Sequence, residues 1–217
     1  MNPGNSAARP DAGPPAPADG VALAYEPAAG LGECAIRIPL GGSHRASPLS
    51  ESQKKRLVSA VLEVRGEPDT RLVLLGVDVE GLRPAGRAAL RDRIAFLPAD
   101  GGLLSSLNAW ENIVLPIGFH SPRRLRDVEA EVSGMLASLG ADPRELLGKL
   151  PERMSLYEKK LTGYVRITLE KPDLMLVEDP QGGLESAERA AAAKFPAAYL
   201  QTCPGGTFVQ LEVAREP

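Results

Sequence analysis

The sequence predicts an α/β fold, and three observations carry that expectation. Residues 174–177, LMLV, form a short and continuously apolar run between Pro172-Asp173 and a pair of carboxylates, the pattern of a strand buried in a parallel sheet. Two short apolar or alternating stretches, at 21–25 and 34–38, flank a turn containing Pro and Gly, as in an antiparallel hairpin. The middle of the chain has helical periodicity and the second half alternates helix with strand, which points to an α/β core with appended pieces. With 217 residues, 43% of them hydrophobic, the chain is long enough for one sizeable core.

From the N-terminus, residues 1–19 are rich in Pro, Ala and Gly with almost nothing to bury, so a disordered leader is expected ahead of a single domain over 20–217. The hairpin follows. SHRAS at 43–47 lacks the apolar character of a buried strand, and this edge of the sheet is expected to be remodelled or disordered. Residues 49–64 place apolar side chains at 57, 58, 61, 62 and 64 behind a polar start, a helix with Ser50 or Ser47 as its cap. Residues 71–79 (RLVLLGVDV) and 94–97 read as strands around a short helix at 84–93. Helices are expected at 108–115, at 125–139, where Gly140 and Pro143 close the pattern, and at 155–170. The LMLV strand ends in Glu178 and Asp179. Residues 185–200 are Ala-rich and helical, bent or ended by Pro196. Residues 207–213 (TFVQLEV) alternate as a final strand.

Composition excludes several classes of function. A formal net charge of -3 and a pI near 5.6 leave no basic excess to neutralise phosphates, so nucleic acid is not an expected partner. The two cysteines, Cys34 and Cys203, stand far apart without His or Cys at metal-ligand spacing, which fits a reducing compartment. No apolar run approaches the roughly 20 residues that cross a bilayer, and the N-terminus has no basic region followed by an apolar one. A cytoplasmic chain is expected, with any membrane contact made through a partner.

Three blocks of sequence, in order, resemble the ATP-binding cassette family. LAYEPAAGLGECAIRIPLGG at 23–42 is similar to the family's opening hairpin, with Tyr25 where an aromatic stacks on adenine; an ordinary strand aromatic is the other reading. LLGVDVEGLRPAGRAALRDRIAFLPADGGLLSSLNAWENIVLP at 74–116 resembles the segment through the glutamine loop and is the most specific match. MSLYEKKLTGYVRITLEKPDLMLVEDPQGGLES at 154–186 resembles the signature helix, the Walker B strand and the D-loop. Registered on Pro172 and Pro180, Glu178 takes the place of the magnesium-associated aspartate and Asp179 that of the catalytic glutamate.

The resemblance implies a mixed-sheet cassette fold with an N-terminal antiparallel piece, a helical subdomain over about 103–170 and a C-terminus shorter than the family's. It also implies ATP and magnesium as cofactors, but the residues at the matching positions depart from that chemistry. A phosphate cradle needs unhindered backbone amides, a lysine and a hydroxyl on the metal. Aligned over that loop, PLSESQKK keeps Lys54 but puts Pro48 and Gln53 where glycines stand and Lys55 where the hydroxyl stands. Lys54 then either touches phosphate or is a solvated lysine at a helix start. Ala99 replaces the loop glutamine. In the signature Ser155 survives, while Leu156, Tyr157 and Glu158 replace Gly, Gly and Gln. Where a switch histidine is expected the chain offers Glu212, Val213 and Ala214, and His44 and His120 lie elsewhere. Asp179, a shorter carboxylate than glutamate, would misplace a general base.

The expectation is a degenerate cassette subunit, peripheral on the inner face of a cell membrane, paired with a second cassette of the same or another kind. A permease subunit would dock on 103–119, with Leu103, Leu104, Trp110 and Glu111 presented to it; core packing is the other reading of Trp110. The wording of WENIVLP and SLYEKK is most similar to cassettes of MCE-type lipid transporters. An active ATPase with a noncanonical site and a soluble regulatory module are the alternatives.

Overall fold

The computed structural model describes residues 20–27, 35–120 and 125–213, with the side chains of 47–49 and 118–127 excepted. The expected leader at 1–19 and Cys34 lie outside the described residues. β1 (Val21–Pro27) and β2 (Ile36–Pro39) pair antiparallel, as the alternating pattern predicts. β4 (Thr70–Leu74) joins the other edge of β1, and β5 (Val77–Asp78) folds back on β4. RLVLLGVDV is therefore two strands rather than one. Leu75 and Gly76 both have positive φ, 49° and 77°, as a two-residue hairpin turn requires, and the chain reverses there.

The second sheet runs β3-β8-β7-β6, all parallel, from β3 (Gly42–Leu49), β6 (Ile94–Leu97), β7 (Leu174–Glu178) and β8 (Thr207–Val213). The polar SHRAS stretch does form a strand, contrary to expectation. Among the described residues it lies at the sheet's edge, where Ser43 and Arg45 are exposed and only Ala46 is buried, so no apolar run is required.

β7 shows why LMLV is apolar throughout. Leu174 and Leu176 pack into a core with Leu23, Leu57, Val61 and Leu74, between the two sheets and α1 (Glu51–Glu63). Met175 and Val177 face the opposite way. They meet a second core built by α3 (Ala109–His120), α4 (Leu125–Ser138), α6 (Leu156–Thr168) and α8 (Phe195–Thr202), through Ile113, Val132, Leu161, Val165 and Phe195. Both faces of the strand are therefore covered.

The remaining helices are α2 (Pro84–Arg91), α5 (Pro143–Leu146) and α7 (Ser186–Ala192). α3 runs further than its sequence pattern, through Pro116 to His120. The Ala-rich stretch at 185–200 is two helices, α7 and α8. Pro196 opens the second, in the first turn, where its missing N–H has no helical partner to lose.

Candidate functional site

In an open parallel sheet the crevice for a ligand lies beyond the C-terminal ends of the strands. Here a cleft of about 660 Å³ opens at that position, with Arg45, Glu51, Lys54, Glu178, Asp179 and Arg189 among its walls. β3 feeds it from one side. The strand continues to Leu49, Ser50 alone intervenes, and α1 starts at Glu51. The Ser50 hydroxyl accepts the Gln53 N–H at 3.0 Å, a helix cap, which settles the choice between Ser50 and Ser47. With one residue between strand and helix there is no extended loop of backbone amides.

Lys54 is not the solvated helix-start lysine that the sequence allowed. It is 8% exposed, and its ammonium is ion-paired with Glu178 across the cleft and with Glu51, at 3.0 Å, one turn earlier. Burial pulls its pKa down, but the hydrogen bonds and charges of Glu178 and Glu51 outweigh burial and hold it above 10.5. The other Glu178 oxygen accepts the Ala99 N–H at 3.4 Å. Among the described residues no group of three or more His, Cys, Asp or Glu is arranged to hold a metal ion.

Asp179 sits at φ 37°, a backbone conformation that L-residues seldom adopt. Its N–H donates to Leu211 O at 3.1 Å, and its own carbonyl accepts from Gly182 N at 3.2 Å and from Lys160 Nζ at 2.7 Å. Lys160 also donates to Gly182 O at 2.8 Å and is only 2% exposed. Burial lowers its pKa below 10.5 against the opposing charges of Asp179 and Glu178.

Sequence reasoning missed Lys160. The available signal was a lysine three residues after Tyr157 and four before Tyr164, on the helix face that those tyrosines bury.

At the start of α6, Ser155 and Glu158 form a capping box, the hydroxyl accepting from Glu158 N at 3.2 Å and the carboxylate from Ser155 N at 2.9 Å. The Ser155 hydroxyl also donates to Glu188 at 3.1 Å. Lys149 reaches the free Glu158 oxygen at 2.6 Å. Tyr157 turns away into the core, stacked on Phe195 at 6.3 Å and donating to Leu139 O; burial first, then the charge of Glu188, pushes its hydroxyl up to about 12.

Tyr25 does not present its ring to a base, which corrects its reading as an adenine stacker. The side chain is 0% exposed, in the core between the sheets, and its hydroxyl donates to Glu67 at 3.2 Å. On β1 the residue lies two positions after Leu23 and so shares its face, which turns to that core.

The segment after β6 is locked rather than loose. Asn112, fully buried, accepts Leu104 N–H at 2.8 Å and donates to Leu104 O, Leu107 O and Asn108 O at 3.1, 2.8 and 3.0 Å. Arg166 donates to Gly102 O at 2.8 Å. Gly101, at φ 88°, lies so close to α6 that a Cβ would come within 2.3 Å of Lys159 O. Leu104 is left 49% exposed, Leu103 and Trp110 are half-buried against the helical core, and Glu111 is exposed, capping α3 with Asn108 at 2.9 Å. These four candidate docking residues thus share one short stretch, with Asn112 and Arg166 as its unforeseen supports.

No family model matches the chain. Among curated proteins it is 32% identical over 158 residues to the lipoprotein-releasing system ATP-binding protein LolD 2 of Caulobacter vibrioides, a match covering 72% of this chain and 66% of that one. The chain belongs to the ATP-binding cassette family. This cassette is also 29% identical over 191 residues to the methionine import ATP-binding protein MetN 2 of Burkholderia mallei, covering 81% of the chain and 46% of the relative. A third relative, the macrolide export ATP-binding/permease protein MacB of Rhodopirellula baltica, is 29% identical over 139 residues, 63% of the chain and 20% of its own length. The cassette thus spans between a fifth and about two thirds of the length of these relatives. Its fold matches cbiO1 from Clostridium perfringens with a TM-score of 0.71 at 15% identity, over 90% of this chain and 80% of that one. The cassette MJ0796, solved as a dimer bound to ADP and Pi, gives 0.65 at 17%, over 88% and 87%. Both support the mixed α/β cassette architecture read from the sequence.

Proposed function

We propose that this chain is the cassette subunit of a membrane transporter and that it works as a non-catalytic scaffold. One observation carries the reading: the lysine aligned with the phosphate-binding position is ion-paired with Glu178, the carboxylate aligned with the metal position. The residues present do not fit a magnesium nucleotide. The strand-to-helix joint has a single residue, Pro48 has no N–H to offer, and Lys55 stands where a hydroxyl would meet the metal. Glu188, which accepts from the Ser155 hydroxyl, brings a carboxylate to where a partner's phosphate would approach.

In this reading a permease docks on Leu104 and Trp110, the cassette pairs with a second cassette, and the assembly lies on the inner face of the membrane. No described helix is long and apolar enough to cross a membrane. We extend the proposal to lipid-like cargo. Its supports are the likeness of WENIVLP and SLYEKK to MCE-type cassettes and a relative named for lipoprotein release.

The test is isothermal titration of the purified chain, and of the chain with its copurifying membrane partner, with magnesium and ATP. No heat in either state is expected. Saturable binding that disappears in Lys54→Ala would sink the scaffold reading and restore an ATPase.

A further inference from the structure

We propose that Lys54, in the cleft, and Lys160, buried behind its floor, are resident cations that hold the acidic floor in one conformation without metal or nucleotide. The inference rests on the scaffold reading and adds what replaces the ligand. The end of β7 and the turn after it, residues 178–183, form the floor. The floor is not self-supporting: Asp179 takes a left-handed backbone at φ 37°, unfavourable for a non-glycine residue. Two Asp179 backbone hydrogen bonds, one from its N–H to Leu211 O and one from Gly182 N–H to its carbonyl, are 3.1 and 3.2 Å long.

The two lysines hold this floor from different sides: Lys54 lines the cleft, whereas Lys160, buried on α6, lies outside its lining. From α1, Lys54 neutralises the Glu178 carboxylate, whose second oxygen accepts the Ala99 N–H. From α6, Lys160 donates to two carbonyls, of Asp179 and Gly182, at 2.7 and 2.8 Å, so a single buried ammonium closes the turn across three residues. A cation beside converging carbonyl oxygens does what a bound metal ion does, opposing the dipoles that the turn concentrates. Both ammonium groups come from regular helices with almost no exposed surface, so their positions are fixed by packing rather than by a ligand. The clamp also joins the two cores, since α1 belongs to one and α6 to the other.

Hydrogen exchange of the 217-residue chain, without nucleotide, tests the assignment. In Lys160→Met, which keeps the stem and removes the charge, amides of 178–184 should exchange roughly ten- to a hundredfold faster, the range for losing hydrogen bonds to a charged group. Amides of α3 and α4 should be unchanged. Lys54→Met should accelerate the same segment. If Lys160→Met does not fold, Lys160→Gln, which can still donate to one carbonyl, should give an intermediate rate. Unchanged exchange of 178–184 in the lysine variants overturns the proposal, as does a uniform loss of protection over the whole chain. Neither outcome bears on whether wild type binds ATP, so the titration and the exchange experiment can fail separately.

Discussion

Asn112→Ala should cost this cassette about 3 kcal/mol, a value that follows from four hydrogen bonds made by one buried amide. Two of its backbone partners keep another bond: Leu104 O still accepts from Leu107 N at 3.2 Å and Asn108 O from the backbone N of residue 112 at 2.9 Å. The N–H of Leu104 and the carbonyl of Leu107 are left without the partner they have in the wild type. Each such group costs about 1 kcal/mol or somewhat more, and the cavity left by a side chain at 0% exposure adds to it. For a chain of this size each kcal/mol shifts Tm by about 2–4 °C, so thermal denaturation followed by circular dichroism should fall by about 6–12 °C. Asn112→Asp is the control. It keeps the oxygen that accepts Leu104 N–H but faces three carbonyls with a carboxylate, so it should be at least as damaging as alanine. A fall below about 2 °C for alanine, or a milder effect for aspartate, would refute the account of this residue as the organiser of the segment bearing Leu104.

Two other perturbations probe the frame. The carboxyl of Glu67 is held below its ordinary 4.5, chiefly by its hydrogen bond from Arg56. A depressed folded-state pKa means that this stabilisation is present above pH 4.5 and fades as pH falls below it. Urea unfolding of wild type and Glu67→Gln should therefore differ at neutral pH and converge in acid; a gap that widens in acid contradicts the ion-pair assignment. Gly163→Ala places a Cβ 2.3 Å from Gly101 O and 2.8 Å from a Leu97 methyl, and it should destabilise by about 2–3 kcal/mol while loosening residues 98–102. A neutral effect in the same urea measurement would show that this contact gives way easily.

Much of the frame was legible because it is local. The hairpin announced itself by alternation, α1 by its periodicity behind Ser50, and β7 by four apolar residues in a row. Where sequence reading failed, a neighbour decided. RLVLLGVDV looks like one strand because nothing in its apolar pattern marks Leu75, a non-glycine residue, as left-handed. SHRAS looked unfit for a strand because a buried position was assumed, whereas among the described residues β3 lies at the edge of its sheet. Tyr25 stood at the right place in the motif, but a motif position does not state which face of a strand turns inward.

The sequence by itself determined the α/β class, the family likeness and the substitutions at the positions of nucleotide chemistry, because patterning and motif identity are properties of neighbouring residues. Only the tertiary structure decided which groups meet at and beneath those positions. Lys54 finds Glu178 across 124 positions, and Lys160 closes on a turn about twenty positions further along. Such pairings are set by which strand lies beside which and how helices seat on the sheet. A buried charge must be matched by whatever partner that arrangement brings within reach.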